Sequence, residues 1–142
     1  MTTTAATLSQ TVPALPARDV AAAVAFFRDR LGFDVLHYDG GFAIVQRDTA
    51  QLTLWEAGDQ SWRGRDSMER PVRSGAESFI AGTASCRIAV EGIDDLYAEL
   101  RAADVLHPVS ADGPVDTDWG TREFSALDGD VNLLSFFQEQ PR

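Results

Sequence analysis

The stretch Val12-Pro13-Ala14-Leu15-Pro16-Ala17-Arg18-Asp19-Val20 decides the reading of this chain, because an extended, proline-punctuated segment passes directly into a helix start. Gln10 to Leu15 reads as a strand, and a proline inside it suits a strand edge or a bulge, since Pro13 has no backbone donor. Asp19 is placed as an N-cap, where a carboxylate accepts from the first unpaired amides of a helix. Behind it Val20, Val24, Phe27 and Leu31 recur at helical spacing, and Gly32 stands where a left-handed residue ends the helix. Three short strands are then expected: Phe33 to Tyr38, Phe42 to Gln46 after the turn Asp39-Gly40-Gly41, and Leu52 to Glu56 after Arg47-Asp48.

The same order of strand, helix and three strands returns in the second half. Ser85 to Val90 reads as a strand, and Gly92-Ile93-Asp94-Asp95 opens a helix carrying Ile93, Leu96, Leu100 and Ala103 on one face. Strands are expected over Val105 to Val109, Arg122 to Leu127 and Leu133 to Phe137, with Asp128-Gly129-Asp130 as the last turn. Between the halves, Ala57 to Gly82 is polar and long enough to read as a functional loop. The fold class is therefore α+β: one domain over 1–142, with module one at about 8–57, a loop at 58–82 and module two at about 83–139. Each half has too little core to stand alone, so two βαβββ modules are expected to form a cupped mixed sheet with a concave interior.

Composition narrows the function. A chain of 142 residues with 44% hydrophobic content holds one core. It has no apolar run of about 18 residues, and Met1 to Gln10 has no basic segment followed by an apolar block, so no membrane partner and a cytoplasmic location are expected. The single cysteine, Cys86, lies in the apolar run Cys86-Arg87-Ile88-Ala89-Val90 and reads as a reduced core thiol. A formal charge of −10 argues against nucleic acid as a partner and favours cationic ligands.

Val12 to Val20, then Phe26-Phe27 and Arg30-Leu31-Gly32-Phe33, resemble the opening of the vicinal oxygen chelate superfamily. That superfamily includes glyoxalase I, extradiol dioxygenases, fosfomycin-resistance enzymes and the bleomycin-resistance proteins. Pro13, the stretch Gly92-Ile93-Asp94-Asp95-Leu96-Tyr97-Ala98-Glu99, and Trp119-Gly120 followed by Arg122-Glu123-Phe124 are similar to the bleomycin-resistance branch. The chain departs from it at Asp128-Gly129-Asp130-Val131-Asn132, where the family commonly has Asp-Pro-x-Gly-Asn, and at Thr121, which stands between Gly120 and Arg122.

Enzymes of the superfamily take metal ligands from the first and last strands of each module, which correspond to about Val12, Glu56, Ser85 and Ser135 here. Only Glu56 is a good donor for a divalent ion, and one carboxylate does not make a catalytic site. No resident metal or other cofactor is expected, a metal entering only as part of a metal-loaded drug. His37 and His107 occupy matching places in the two modules but lie on other strands and read as structural histidines. Cys86 has no basic partner beyond the adjacent Arg87, and no nucleophile elbow or phosphate-cradling glycine pattern occurs.

What remains is a groove with aromatic residues at its mouth. Phe42 and Trp119 can be read as core aromatics, but the resemblance implies that they stack on the planar bithiazole rings of a drug. Trp55, beside Glu56, is either a third contact or a core residue; Trp62 and Phe79 either cover the groove or anchor the loop. Gly120 and Arg87 complete the expected ligand-binding set of Phe42, Trp119, Gly120, Trp55, Glu56, Phe79 and Arg87. Glu56, Asp59, Asp112, Asp116 and Asp118 are candidates to face the cationic tail that such drugs carry. The resemblance also implies that Pro13 is the hinge of an N-terminal strand exchanged within a homodimer. The expected function is stoichiometric sequestration of a bleomycin-family antibiotic (bleomycin, phleomycin or tallysomycin-like) without modifying it, by a protein that is not an enzyme. The alternative is a metal-dependent lyase or dioxygenase of the same superfamily.

Overall fold

The computed structural model describes residues 5–58 and 79–141, so Asp59 and Trp62 lie outside the described residues. Module one contains β1 (Ala14–Ala17), α1 (Val20–Arg30), β2 (Asp34–Tyr38), β3 (Phe42–Arg47) and β4 (Ala50–Glu56). Asp19 caps α1, its Oδ1 accepting from the Ala22 amide at 3.2 Å, and Gly32 leaves the helix at φ +75°. Module two contains β5 (Ser85–Ala89), α2 (Ile93–Ala102), β6 (Val115–Asp116), β7 (Thr121–Leu127) and β8 (Leu133–Glu139). The start of α2 has no capping side chain of its own; Gln138 of β8 supplies one, its Oε1 accepting from the Gly92 and Ile93 amides at 2.9 Å each.

Two four-stranded mixed sheets result, ordered β1-β4-β3-β2 and β5-β8-β7-β6, with β1-β4 and β5-β8 the parallel pairs. Alternation divides each strand between two faces. One face of the first sheet turns Ala43, Val45, Leu52 and Leu54 toward α1; one face of the second turns Phe124, Ala126, Leu134 and Phe136 toward α2. All eight belong to one continuous buried cluster with Phe27, Ile93 and Leu100. Burying each of the larger side chains in this cluster is worth about 1.5–3 kcal/mol, which ties the modules into one domain. The other face of each sheet points away from this core.

Two strand expectations are corrected. The first strand begins at Ala14 rather than Gln10: the Pro13 carbonyl still accepts from Thr53 N at 3.0 Å, but residues 5–12 are exposed and in no strand. Pro13 has no N–H to return, so pairing starts after it. The segment Val105 to Val109 is not a strand. Leu106 makes a single bridge to Ala126, and the chain then turns through a 3-10 helix, Pro108–Ser110, with His107 Nδ1 accepting from Val109 N at 2.9 Å. Proline suits the first turn of such a helix and lacks a ladder donor. The outer strand is instead the short β6, pairing Val115 with Glu123 and Asp116 with Arg122.

The last turn locks the modules together. Asn132 is fully buried; its Nδ2 donates to the Pro16 carbonyl at 2.8 Å and to Asp128 at 3.0 Å, and its Oδ1 accepts from Gly82 N at 2.9 Å. Asp130 Oδ1 accepts from Arg18 N at 2.9 Å, and Gly129 lies so close to Phe26 that an added Cβ would come within 3.2 Å of its ring. The departure Asp128-Gly129-Asp130-Val131-Asn132 thus keeps a working turn without its proline. Cys86 packs against the core with its thiol pushed up to about 11, chiefly by burial, and reads as an inert thiol.

Candidate functional site

The core-facing pattern of β3 and β4 dictates which side chains remain on the open face of the first sheet. Phe42 pairs with Trp55 across the ladder, so the two share a face opposite Ala43 and Leu54. Their ring centroids are 6.5 Å apart, Trp55 meets Phe79 at 5.8 Å, and His37 of β2 meets Phe42 at 5.9 Å. The four rings form a row across the sheet. Phe79 is brought there by the chain on the far side of the central segment, where its carbonyl accepts from Gly58 N at 3.1 Å. The turn Asp39-Gly40-Gly41 is closed by Asp39 Oδ1, which accepts from the Gly41 and Phe42 amides at 3.2 and 3.0 Å; the first of these bonds is the main cause holding the Asp39 carboxyl below its ordinary range. Trp55 Nε1 is buried without a hydrogen-bond partner among the described residues.

Glu56 does not join this row. It follows Trp55 in β4 and pairs with position 41, so alternation turns it off the aromatic face, and its side chain is exposed against Gly41. Val12 is in the exposed segment before β1, and Ser85 and Ser135 are neutral hydroxyls on β5 and β8. Val12 offers no donor, the serines are poor ones, and Glu56 faces elsewhere, so these residues do not fit the metal of the superfamily's enzymes. Among the described residues no three His, Cys, Asp or Glu side chains cluster as a metal site.

The open face of the second sheet carries a different set. Trp119 stands at the tip of the β6–β7 hairpin, which Thr117 N closes onto the Thr121 carbonyl at 2.8 Å while Gly120 takes φ +93°. Its indole N–H donates to Glu123 Oε2 at 3.0 Å, and it is 60% exposed. The other Glu123 oxygen accepts from Arg87 Nη1 at 2.9 Å, and the Arg87 guanidinium lies 4.4 Å from the centroid of Phe137. Arg87 beside it, with Thr121 and Trp119 as further donors, holds the Glu123 carboxyl down to about 2. Thr121 opens β7 and is buried, so the extra residue between Gly120 and Arg122 is taken up by the hairpin. Asp116 is occupied within the chain, accepting from Arg122 Nη1 at 3.0 Å and Gln140 Nε2 at 2.9 Å.

Of the expected residues, the structure therefore groups Phe42, Trp55 and Phe79 on one face and Trp119, Gly120 and Arg87 on another. Sequence reading missed Glu123, which joins the second group, and the flanking rings His37 and Phe137. A signal for Glu123 was present: it alternates with core-facing Phe124 and follows Trp119 by a hairpin-spanning interval. A cleft of about 1260 Å³ lies elsewhere, at the seam between the β3–β4 turn and α2, lined by Arg47, Glu91, Asp95 and Glu99. Arg47 and Glu99 bridge it in a two-pronged ion pair at 2.6 and 2.8 Å, and none of Phe42, Trp55, Phe79 or Trp119 lines it. Both aromatic groups lie off the core, Phe42, Trp55 and Phe79 half-buried and Trp119 exposed.

The family model for the bleomycin resistance protein-like N-terminal region matches residues 11–47. The bleomycin resistance protein of Geobacillus stearothermophilus is 48% identical over 130 residues, which cover 92% of this chain and 96% of that protein. A bleomycin resistance protein of Klebsiella pneumoniae is 24% identical over 135 residues, 92% of this chain and 93% of that protein. Among solved structures, the bleomycin-binding protein of Streptomyces verticillus with copper(II)-bleomycin has a TM-score of 0.67 at 28% identity, covering 97% of this chain and 100% of that one. The bleomycin resistance determinant of transposon Tn5 has a TM-score of 0.67 at 23% identity, covering 94% and 100%, and shares the fold.

Proposed function

We propose, since the chain belongs to the bleomycin resistance protein family, that it confers resistance by binding bleomycin-family antibiotics and holding them away from their target without altering them. The observation that carries this reading is the pair of aromatic groups off the core, one with half-buried Phe42 and Trp55 and the other with exposed Trp119, on a chain 48% identical to a bleomycin resistance protein. Planar heteroaromatic rings stack on such side chains, each pair adding about 0.5–1.5 kcal/mol beyond area burial. The net charge of −10 speeds the encounter with a cationic drug. The donor set at Val12, Glu56, Ser85 and Ser135 leaves the lyase or dioxygenase alternative without a metal site.

Each face is one wall, and a second copy of the chain supplies the other. The first sheet of one protomer faces the second sheet of its partner, giving two grooves per homodimer, each with Phe42, Trp55 and Phe79 on one side and Trp119, Gly120 and Arg87 on the other. The exposed residues 5–12, with Leu8 99% exposed, support an N-terminal arm that crosses to the partner about Pro13. Glu56 lies at the rim and acts on the drug only through long-range attraction. The drug is met in the cytoplasm.

Titration with metal-free and copper-loaded bleomycin, followed by calorimetry and tryptophan quenching, is expected to give saturable binding with one drug per chain. Mass spectrometry of the released drug is expected to return it unchanged. Absence of binding by both forms at micromolar concentration overturns the reading. Light scattering is expected to give a dimer for the full chain and a smaller species on deleting residues 1–12; a stable monomer that still binds drug removes the shared groove.

A further inference from the structure

Glu123 is a half-buried carboxylate whose charge is already met within the chain. Its side chain is 17% exposed, and its two oxygens receive Arg87 at 2.9 and 3.2 Å, Trp119 at 3.0 Å and the Thr121 hydroxyl at 2.5 Å. A carboxylate with this many donors has little capacity left for a ligand cation. Trp119 is 60% exposed at a hairpin tip, and the directional bond from its indole N–H to Glu123 favours one rotamer. The same carboxylate keeps the Arg87 guanidinium close to Phe137, 4.4 Å from the ring centroid, and compensates its positive charge.

Resting on the drug-binding function proposed above, we infer that Glu123 is a positioning residue of the binding site: it fixes the Trp119 indole and neutralises Arg87, and it makes no contact with the drug itself. Pre-orienting the indole lowers the ordering cost of binding, because the side chain need not be immobilised when the drug arrives. Neutralising Arg87 removes a cation that would oppose a cationic ligand at the same face. That Glu123 stays ionised down to about 2 means this arrangement holds across the whole neutral and mildly acidic range.

The two roles separate by substitution. Glu123→Ala removes both, whereas Glu123→Gln keeps a carbonyl acceptor for the indole N–H and loses the ion pair with Arg87. In free 15N-labelled protein, with the indole signal of Trp119 assigned through Trp119→Phe, E123A is expected to shift that signal toward the position of a water-exposed indole and speed its exchange; E123Q is expected to leave it near its original place. Affinity for copper-loaded bleomycin is expected to fall about tenfold in E123A and about threefold in E123Q. In the Trp119→Phe background, E123A is expected to cost only about the threefold that belongs to Arg87. An unmoved indole signal in E123A overturns the hydrogen-bond role, and an undiminished tenfold loss in the Trp119→Phe background overturns the inference by making Glu123 a direct contact. If E123A fails to fold by circular dichroism, E123Q decides: an affinity equal to wild type overturns the neutralising role. Failure of the wild type to bind the drug would strike the proposed function, while the free-protein indole signal would still decide whether Glu123 holds Trp119.

Discussion

The open face of module one and the open face of module two are built from the same βαβββ plan and carry opposite chemistry. The first is a row of rings, His37, Phe42, Trp55 and Phe79, with the His37–Asp39 contact at its edge. The second has the exposed Trp119 indole on a carboxylate that is itself tied to Arg87, and the arginine lies on Phe137. The rings of the first face are oriented by contact with one another, whereas the Trp119 indole also has a directional bond to Glu123. The repeat therefore supplies one wall by packing and the other by hydrogen bonding, and the two walls should fail differently.

The largest effect is expected where both modules are joined. Asn132→Ala leaves the Pro16 carbonyl and Gly82 amide without partners and should lower stability by about 3 kcal/mol, read from the urea midpoint; a shift under about 1 kcal/mol would mean that the shared apolar core alone holds the modules. Next, Trp119→Ala should weaken drug binding by about 2 kcal/mol, roughly thirtyfold in Kd, with stability within about 0.5 kcal/mol of wild type because the side chain is exposed. Equal losses of stability and affinity would make Trp119 structural instead. Phe42→Ala should cost about 1 kcal/mol in stacking, about fivefold in Kd, together with a measurable drop in Tm, because this ring also supports Trp55. An unchanged Tm would break the contrast between the packed wall and the hydrogen-bonded one.

A pH series sharpens the same contrast. The folded state holds Glu123 at about 2 against an ordinary 4.5, so its contribution is complete above the ordinary value and lost as the pH falls toward 2. Drug affinity of the folded protein should be flat from about pH 8 down to about 4, because Glu123 in the folded state keeps its charge, and with it the anchor of Trp119 and Arg87, until the pH approaches 2. Asp128 moves the other way: burial raises its carboxyl, so its term favours the folded state as pH falls and partly offsets acid unfolding. A decline already present near pH 6 would show that Glu123 does not set the acid limit of binding. The smallest effect belongs to Glu56→Gln, which should change Kd by less than about twofold and slow association only at low salt; a tenfold loss would return Glu56 to the groove.

Much of this was legible because local rules and tertiary demands agree. Asp19, the Val20–Phe27 stripe and Gly32 describe a helix in any context, and the structure places that helix over Val20–Arg30. Phe42 is singled out by resemblance and Trp55 is left open between contact and core; the ladder register, which sets both opposite Ala43 and Leu54, is what turns them off the core face. The failures have equally local causes. Val105 to Val109 has strand composition, yet Pro108 cannot donate to a ladder and His107 caps the turn that replaces it. Gln10 to Val12 also has strand composition, but nothing in composition says whether a strand has a partner within its own chain. Glu56 is named for its acidic charge and its place at the end of the strand, and the structure sets it on the opposite side of β4 from Trp55, since adjacent residues of a strand face opposite ways.

By itself, then, the sequence determined the doubled module, the single core, the acidic surface and the absence of good metal donors at Val12, Ser85 and Ser135, since periodicity, charge and side-chain chemistry are properties of the chain. Only the tertiary structure decided that Glu123 stands between Trp119 and Arg87, that Phe79 closes the row begun by Phe42, and that Asn132 ties the last turn to Pro16. These groups are separated along the chain by up to 116 residues, and no local rule reports a meeting that sheet register and core packing alone bring about.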